Sequence, residues 1–385
     1  MMTGRHPIQC IVPPHMLEEI AERGNTEQQR MALNTLSVSD AFRAQRLEAA
    51  EFAPLVTAEQ VAGKDRIVYD AEQTSDLDRR KVRGEGDPPT DDPAADEAYD
   101  GAGATYDLYK DIYDRESIDN NGLRLISTVH YQKGYDNAFW NGEQMTYGDG
   151  DEDLPPEDRL FNRFTIALDI VGHELTHGVT QFEAKLVYRS QSGALNESFS
   201  DVFGSLVKQR VLGQTAAAAD WIIGAGLFTE NVNGEGIRSM KAPGTAYDDP
   251  VLGQDPQPAH MRDYKNVITD NGGVHINSGI PNHAFYVVAR DIGGHAWEKA
   301  GRIWYITLRD KLSAQSDFQA AARLTFEAAG ELFGAGSLEQ QAVKAGWAEV
   351  GLGVDQPDSP GQDTGCLDMV MSPFRAMFRP TTSGR

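Results

Sequence analysis

The stretch Phe161-Asn-Arg-Phe164-Thr-Ile-Ala-Leu-Asp-Ile170-Val-Gly-His173-Glu174-Leu-Thr-His177-Gly-Val179 carries more chemistry than any other part of the chain. Its apolar residues recur at helical spacing, so the whole run is expected to form one amphipathic helix. On such a helix His173 and His177, four residues apart, stack on one face, where two imidazoles can grip a single ion. Glu174 stands beside them. Zinc that keeps an open coordination position polarises a water, and a carboxylate that is not itself a ligand can take the water's proton as it attacks a carbonyl. Hydrolysis of a peptide bond is the chemistry this arrangement suits.

Histidine is 9 of 385 residues, so this pattern arises by chance in on the order of one such chain in a hundred, and it needs company to carry weight. Gly193-Ala-Leu-Asn196-Glu197-Ser-Phe-Ser-Asp201 sets two carboxylates four residues apart on a following helix, where Glu197 can be the third protein ligand. Asn196 and Asp201 then become candidate acceptors that orient the ligand histidines. The bland reading of these acids is that they are charges near a helix N-terminus. Asp270-Asn-Gly-Gly-Val-His275-Ile-Asn-Ser-Gly279 places a histidine at a helix entry, with Asp270 five residues before it. An imidazolium held protonated by Asp270 would stabilise the oxyanion of a tetrahedral intermediate, although a single histidine there is more often a capping or packing residue.

Outside these segments the pattern changes from β-rich to α-rich. Residues 66–69, 123–130 and 137–147 read as strands, 104–115 as a helix, and 83–103 and 148–158 as solvated Gly/Pro/acid loops. After residue 182, helical periodicity fills 194–211, 275–290, 303–312, 316–332 and 338–350. The expected fold is therefore α+β and two-lobed, with a β-rich lobe (60–182) ending in the zinc helix and a helical lobe (183–352). Ahead of them, 1–52 begins with a turn, Pro13-Pro14-His15-Met16-Leu17, and continues in helix-favouring stretches as a compact, separate unit. Residues 353–385 read as a tail.

The balance of 35 basic against 58 acidic side chains, a net charge of −23, repels nucleic acid and anionic membrane, so neither is expected as a partner. Two cysteines, Cys10 and Cys366, provide no disulfide framework and no cysteine-based metal site. No run is long and apolar enough to span a bilayer, and the first twelve residues lack the features of a secretory signal.

With these blocks assembled, the sequence resembles a thermolysin-family zinc metallopeptidase over roughly residues 66–352. Asn137-Ala-Phe-Trp-Asn, His173 to His177, Gly193 to Asp201 and Asp270 to Gly279 stand in the family's order. The resemblance implies one zinc on His173, His177 and Glu197, with Glu174 as general base. It implies that Tyr188 and His275, the latter paired with Asp270, stabilise the oxyanion. Asn137 and Ala138 would hold the peptide backbone, Arg238 the substrate carbonyl, and Phe161, Phe164, Ile170 and Ile237 would line an apolar pocket that selects a bulky hydrophobic residue after the scissile bond. Phe161, Phe164 and Ile170 are each at least as well explained as core packing of an amphipathic helix.

Two departures from the family pattern matter. Asp169 and Asp220 remain where a paired calcium site is expected, but Lys208, Ile222 and Ala225 stand where acids should be, so that site is expected to be lost; calcium in acidic loops such as 149–153 stays open. The N-terminal segment resembles the short propeptide of the protealysin-like branch, with His15 where the motif has an aromatic. It would cover the cleft by docking Met16 and Leu17, and His15 or Cys10 is near enough in sequence to be asked whether it reaches the zinc. Expected partners are polypeptide substrates and the chain's own propeptide, with a monomer as the default. The family is typically secreted, here by a route without a recognisable signal, and a cytoplasmic location stays open. Two other readings remain at this point, a non-catalytic zinc scaffold and a small-amide hydrolase.

Overall fold

The computed structural model describes residues 9–49 and 63–355. The tail from 356 onward, Cys366, and the stretch 50–62 in which a propeptide would meet the catalytic chain lie outside the described residues.

Six strands form one mixed sheet: β1 (Gln9–Cys10), β2 (Arg66–Asp70), β3 (Arg80–Gly84), β4 (Leu125–Val129), β5 (Ala138–Trp140) and β6 (Met145–Tyr147), in the order β1-β5-β6-β4-β2-β3. The central pairs β2–β4 and β4–β6 are parallel and the remaining pairs are antiparallel. The edge strand β1 belongs to the N-terminal segment, which continues as α1 (Pro14–Arg23) and α2 (Thr26–Ala49). That segment is compact, as expected, but it is not separate: Ile11, Val12, Met16, Leu17 and Ile20 are buried in the main core. The run Ile8-Gln-Cys-Ile-Val12, closed by two prolines that end strand pairing, carries a strand signal in its sequence.

The expected loop at 83–103 is a second correction. Its first residues end β3, and from Pro93 it is helical, because α3 (Pro93–Tyr113) starts there, capped by the Asp92 carboxylate accepting from the Ala94 N–H. The buried face of its first half is written mostly in small residues, Ala94, Ala95, Ala98, Gly101 and Ala102, with Tyr99 the one large side chain among them, so a search for bulky apolar periodicity passes over it. The small face lets α3 approach the zinc helix closely: a Cβ on Gly101 would lie 2.9 Å from a Val171 methyl.

The zinc helix itself, α4 (Leu168–Phe182), is shorter than the run from Phe161 suggested. Residues 160 and 161 are held extended, their N–H groups donating to buried Asp151, Phe161 bridges Phe228, and a single 3-10 turn (Phe164–Ile166) precedes the helix. Next come α5 (Ser190–Val211), the short hairpin β7 (Ile222–Ile223) with β8 (Arg238–Ser239), and then α6 (Asp270–Asn277), α7 (Gly279–Ile292), α8 (Ala300–Ile306), α9 (Phe318–Phe333) and α10 (Leu338–Glu349). The helix expected over 275–290 is two helices divided at Ser278.

One crossing positions the site. Helices α4 and α5 touch through glycines, where a Cβ on Gly172 would lie 3.0 Å from the Gly204 Cα, and a Cβ on Gly204 only 2.3 Å from the Asp169 carbonyl oxygen. Without side chains at the crossing, the two backbones come close enough for α5 to reach the histidines of α4.

Candidate metal centre

His173 and His177 of α4 and Glu197 of α5 are fully buried, and their ligand atoms lie within 4.8 Å of one another, the one such group among the described residues. The two Nε2 atoms are 3.0 Å apart, and each is 3.5 Å from a Glu197 carboxylate oxygen. Donors arranged around one zinc at ~2.0–2.2 Å in a tetrahedron stand about 3.3 Å from each other, so the spacing fits. The chemistry fits as well. His173 Nδ1 faces Asp201 Oδ1 at 2.8 Å, and His177 Nδ1 faces Asn196 Oδ1 and Ser200 Oγ, each at 2.9 Å. These partners hold the outer nitrogens and turn the Nε2 lone pairs toward each other. Glu197 Oε2 is buried with no hydrogen-bond partner, an orphan that a cation would satisfy.

Around this group the electrostatics are tightly ordered. Burial alone would raise the Asp201 carboxyl, but the Arg238 guanidinium and His173 outweigh it and hold it well below the usual carboxylate range. Arg238 grips Asp201 with Nε and Nη2 at 2.8 and 2.7 Å, and Asn282 Nδ2 adds a third donor at 2.8 Å. Glu174 Oε2 accepts from the Trp140 N–H at 3.0 Å, whereas Oε1 is buried without a partner; burial and the nearby Glu197 push this carboxyl well up. Tyr188 donates its hydroxyl to Glu197 Oε1 and lies 3.2 Å from His275 Nε2. Asp270 holds His275 twice, at Nδ1 (2.5 Å) and at the backbone N–H (2.9 Å). Burial opposes protonation of His275, and the carboxylates of Asp270 and Glu197 overcome it and raise its pKa.

The N-terminal strand runs through this site. The Cys10 carbonyl oxygen is 3.0 Å from His275 Nε2, Ile11 N–H donates to the Ala138 carbonyl at 3.2 Å, and Arg238 Nη1 donates to the Ile11 carbonyl at 3.1 Å. Asn137 both accepts from Val12 N–H (3.0 Å) and donates to the Val12 carbonyl (3.3 Å). Asn137, Ala138 and Arg238 thus hold peptide backbone, and the backbone is the chain's own. Neither side chain asked about for the metal joins the ligand group: Cys10 Sγ packs with Tyr131, Tyr135 and Phe139 and faces Ser39, and His15 Nε2 lies 3.2 Å from the Tyr247 hydroxyl. Phe161, Phe164, Ile170 and Ile237 are all buried in the main core, with Phe161 5.8 Å from each of the Phe164 and Phe228 ring centroids.

Sequence reasoning missed Ser200 and Asn282. Ser200 follows Asn196 by four residues and so shares its helix face, a signal that was available; Asn282 stands 81 residues from Asp201 with nothing local to reveal it. Behind the zinc helix, Lys208 Nζ lies 2.7 Å from Asp169, 3.0 Å from Asp220 and 2.5 Å from the Ile222 carbonyl.

Two histidines one turn apart, a glutamate from the next helix and an uncommitted carboxylate beside them, set between a sheet and a helical lobe, define a metallohydrolase centre. Residues 28–181 match the model of the thermolysin metallopeptidase catalytic domain, and residues 184–352 that of the thermolysin metallopeptidase alpha-helical domain. The chain belongs to the thermolysin family of zinc metallopeptidases and is a peptide hydrolase. It is 50% identical over 351 residues to an extracellular metalloprotease of Pectobacterium carotovorum, covering 91% of this chain and 98% of that one. It is also 45% identical to Protease PrtS of a Photorhabdus strain, over 90% and 93% of the two chains. Among solved structures, the precursor of protealysin, a metalloproteinase from Serratia proteamaculans, matches with a TM-score of 0.80 and 51% identity, covering 89% of this chain and 99% of that one.

Proposed function

We propose that the chain is an endopeptidase made as a zymogen, in which residues 1–52 cover the cleft, and that the mature form cleaves before bulky hydrophobic residues. The observation that carries this reading is the backbone of residues 10–12 lying in the cleft, bonded by His275, Ala138, Arg238 and Asn137. A polypeptide of extended form is what such a row of donors and acceptors accommodates, which favours peptides over a small amide.

His173, His177 and Glu197 would hold zinc, which supplies Lewis acidity toward a water and the substrate carbonyl. Glu174, one oxygen tied to the Trp140 N–H and the other free, takes the proton of the attacking water and delivers it to the departing nitrogen. His275, kept cationic by Asp270, and Tyr188 stabilise the oxygen that becomes negative. Phe161, Phe164, Ile170 and Ile237 supply the apolar wall behind the residue after the scissile bond, worth ~1.5–3 kcal/mol for a large side chain buried there. Lys208, on Asp169 and Asp220, takes over the charge of the family's paired calcium, so the fold needs no calcium at that place. Secretion is the location we assign, since a relative at 50% identity and another at 46% are named extracellular; no helix among the described residues is long and apolar enough to cross a membrane.

The experiment is an intact-mass time course of the purified precursor, wild type beside Glu174→Ala, with and without a zinc chelator. Loss of an N-terminal segment ending between about residues 48 and 64 in metal-loaded wild type alone supports both the peptidase and the zymogen. If both proteins stay whole and neither degrades an added unfolded polypeptide, the chain is a scaffold rather than an enzyme.

A further inference from the structure

The strand that covers the cleft has a defined register, and the register singles out one peptide bond. From the Cys10 carbonyl to the Val12 carbonyl every backbone donor and acceptor is bonded to one of the two catalytic lobes: to His275, Ala138, Arg238 and Asn137 in chain order. The strand pairs antiparallel with β5, Cys10 opposite Phe139 and Gln9 opposite Trp140. Trp140 is also the residue whose N–H holds Glu174. The imidazole of His275 therefore meets the carbonyl of the Cys10–Ile11 amide, and the proton acceptor Glu174 is held on β5 one residue from Phe139, the partner of Cys10. Pro13 and Pro14 have no N–H to extend the ladder, which denies the segment a slipped pairing. Ile11 is apolar, β-branched and fully buried, the kind of side chain the proposed pocket takes directly after a cut.

A strand that merely plugged the cleft had no need to present a carbonyl oxygen to His275. Resting on the peptidase reading above, we infer that Cys10–Ile11 is itself a substrate bond of this enzyme, and that the released N-terminal segment is destroyed as an inhibitor by a cut through its own covering strand. Water adds its oxygen to the Cys10 carbonyl carbon, the Cys10–Ile11 C–N bond breaks, and Glu174 passes the water's proton to the Ile11 nitrogen. The products are a carboxylate at Cys10 and an amine at Ile11. In the precursor the flanking helices resist this outcome. Met16, Leu17 and Ile20 are locked in the core, Gln28 Nε2 donates to the Asp158 carbonyl at 2.7 Å, and Thr35 Oγ accepts from the Asp136 N–H at 3.0 Å, so the two ends of a cut strand could not part. Once the junction to the catalytic chain is severed and these helices let go, the cut becomes irreversible.

The test uses full-length Glu174→Ala precursor as substrate, matured wild type as enzyme, and an unrelated unfolded polypeptide in a parallel tube; fragments are read by mass and N-terminal sequence. The expected result is a fragment that begins at Ile11. The same precursor carrying Ile11→Asp should lose that cut by about tenfold or more, because a carboxylate replaces the apolar side chain after the bond. A synthetic peptide of residues 5–20, which needs no folding, should also be cut between Cys10 and Ile11. If the unfolded polypeptide is consumed while the segment stays whole, is cut only elsewhere, or is cut equally well with Ile11→Asp, this inference is overturned and the peptidase stands. If the unfolded polypeptide survives as well, the peptidase reading falls and takes the inference with it.

Discussion

Lys208 and Asp169 form an ion pair of 2.7 Å in which the carboxylate is almost fully buried and the ammonium nearly so. Burial would lower the lysine's pKa, and Asp169 with Asp220 raises it instead, so the cation is permanent at any working pH. The pair occupies the place where the family resemblance led one to look for calcium, and a lysine cannot share it with a second cation. The melting temperature of the precursor should therefore not change between a calcium chelator and millimolar calcium. Lys208→Met should cost about 3–5 kcal/mol, since it strands Asp169 as a buried charge. A large rise in melting temperature with calcium in the wild type would refute this account.

The glycine crossing of α4 and α5 makes a sharper demand. A methyl at position 204 would fall 2.3 Å from the Asp169 carbonyl oxygen, and that contact is backbone, which has no rotamer to move. Gly204→Ala should push the helices apart, destabilise the protein by about 1–3 kcal/mol or more, and draw Glu197 away from the two histidines. Competition against a chromogenic zinc chelator should show weaker zinc binding in the folded variant; unchanged affinity would mean that the crossing does not set the site.

Asp201 is asked to do two things, orienting His173 and neutralising Arg238. Asp201→Asn keeps the shape but loses the charge, and we expect zinc affinity to fall roughly 10–100-fold. Glu174→Gln should differ in kind: kcat/KM drops by roughly 10²–10⁴ while zinc content, measured by metal analysis, stays at wild-type level. If Glu174→Gln also lost its zinc, the carboxylate would be a ligand rather than the base.

The metal ligands and their orienting partners were legible because helical spacing converts sequence distance directly into geometry. His173 with His177 and Glu197 with Asp201 are each one helical turn apart, and the same spacing from Asn196 to Ser200 was there to be used but was passed over. The same rule failed where turns interrupt it. Phe161 and Phe164 carry apolar periodicity into a stretch that Asp151 holds extended, so the zinc helix starts later than its pattern. It failed again where the buried face is mostly small, as in the first half of α3, whose alanines pack without looking like a core. Least legible was the union of β1 with β5, 129 residues apart at the Cys10–Phe139 pair. Pairing across such a distance leaves no local trace, and only the cleft residues Asn137, Ala138 and Arg238, implied to hold peptide backbone, hinted that a strand would lie there.

The last prediction concerns two buried carboxyls beneath the N-terminal helices. Asp136 is 4% exposed, its Oδ1 has no partner, and its N–H donates to Thr35 of α2. Burial raises Asp136 far above the ordinary carboxylate range, with Asp151 adding to the rise and Arg30 of α2 opposing it. Burial likewise takes Asp151 to about 6, against the N–H groups of Phe161 and Leu160 and the charge of Arg159. An acid whose pKa is raised by folding binds more protons folded than unfolded, so stability is greatest below the unfolded value near 3.8 and declines as pH rises, through about 6 for Asp151 and further for Asp136. The Glu174→Ala precursor, which cannot cut itself, should lose stability to denaturant steadily from pH 4 to pH 8 at these sites. Asp136→Asn in that background should flatten the decline and stabilise the protein at pH 8 by on the order of 1–3 kcal/mol, because a neutral amide replaces a carboxyl that resists ionising. A denaturation series at four or five pH values decides it. Parallel curves for the two proteins would mean that Asp136 titrates no differently folded than unfolded, and that its burial costs the precursor nothing.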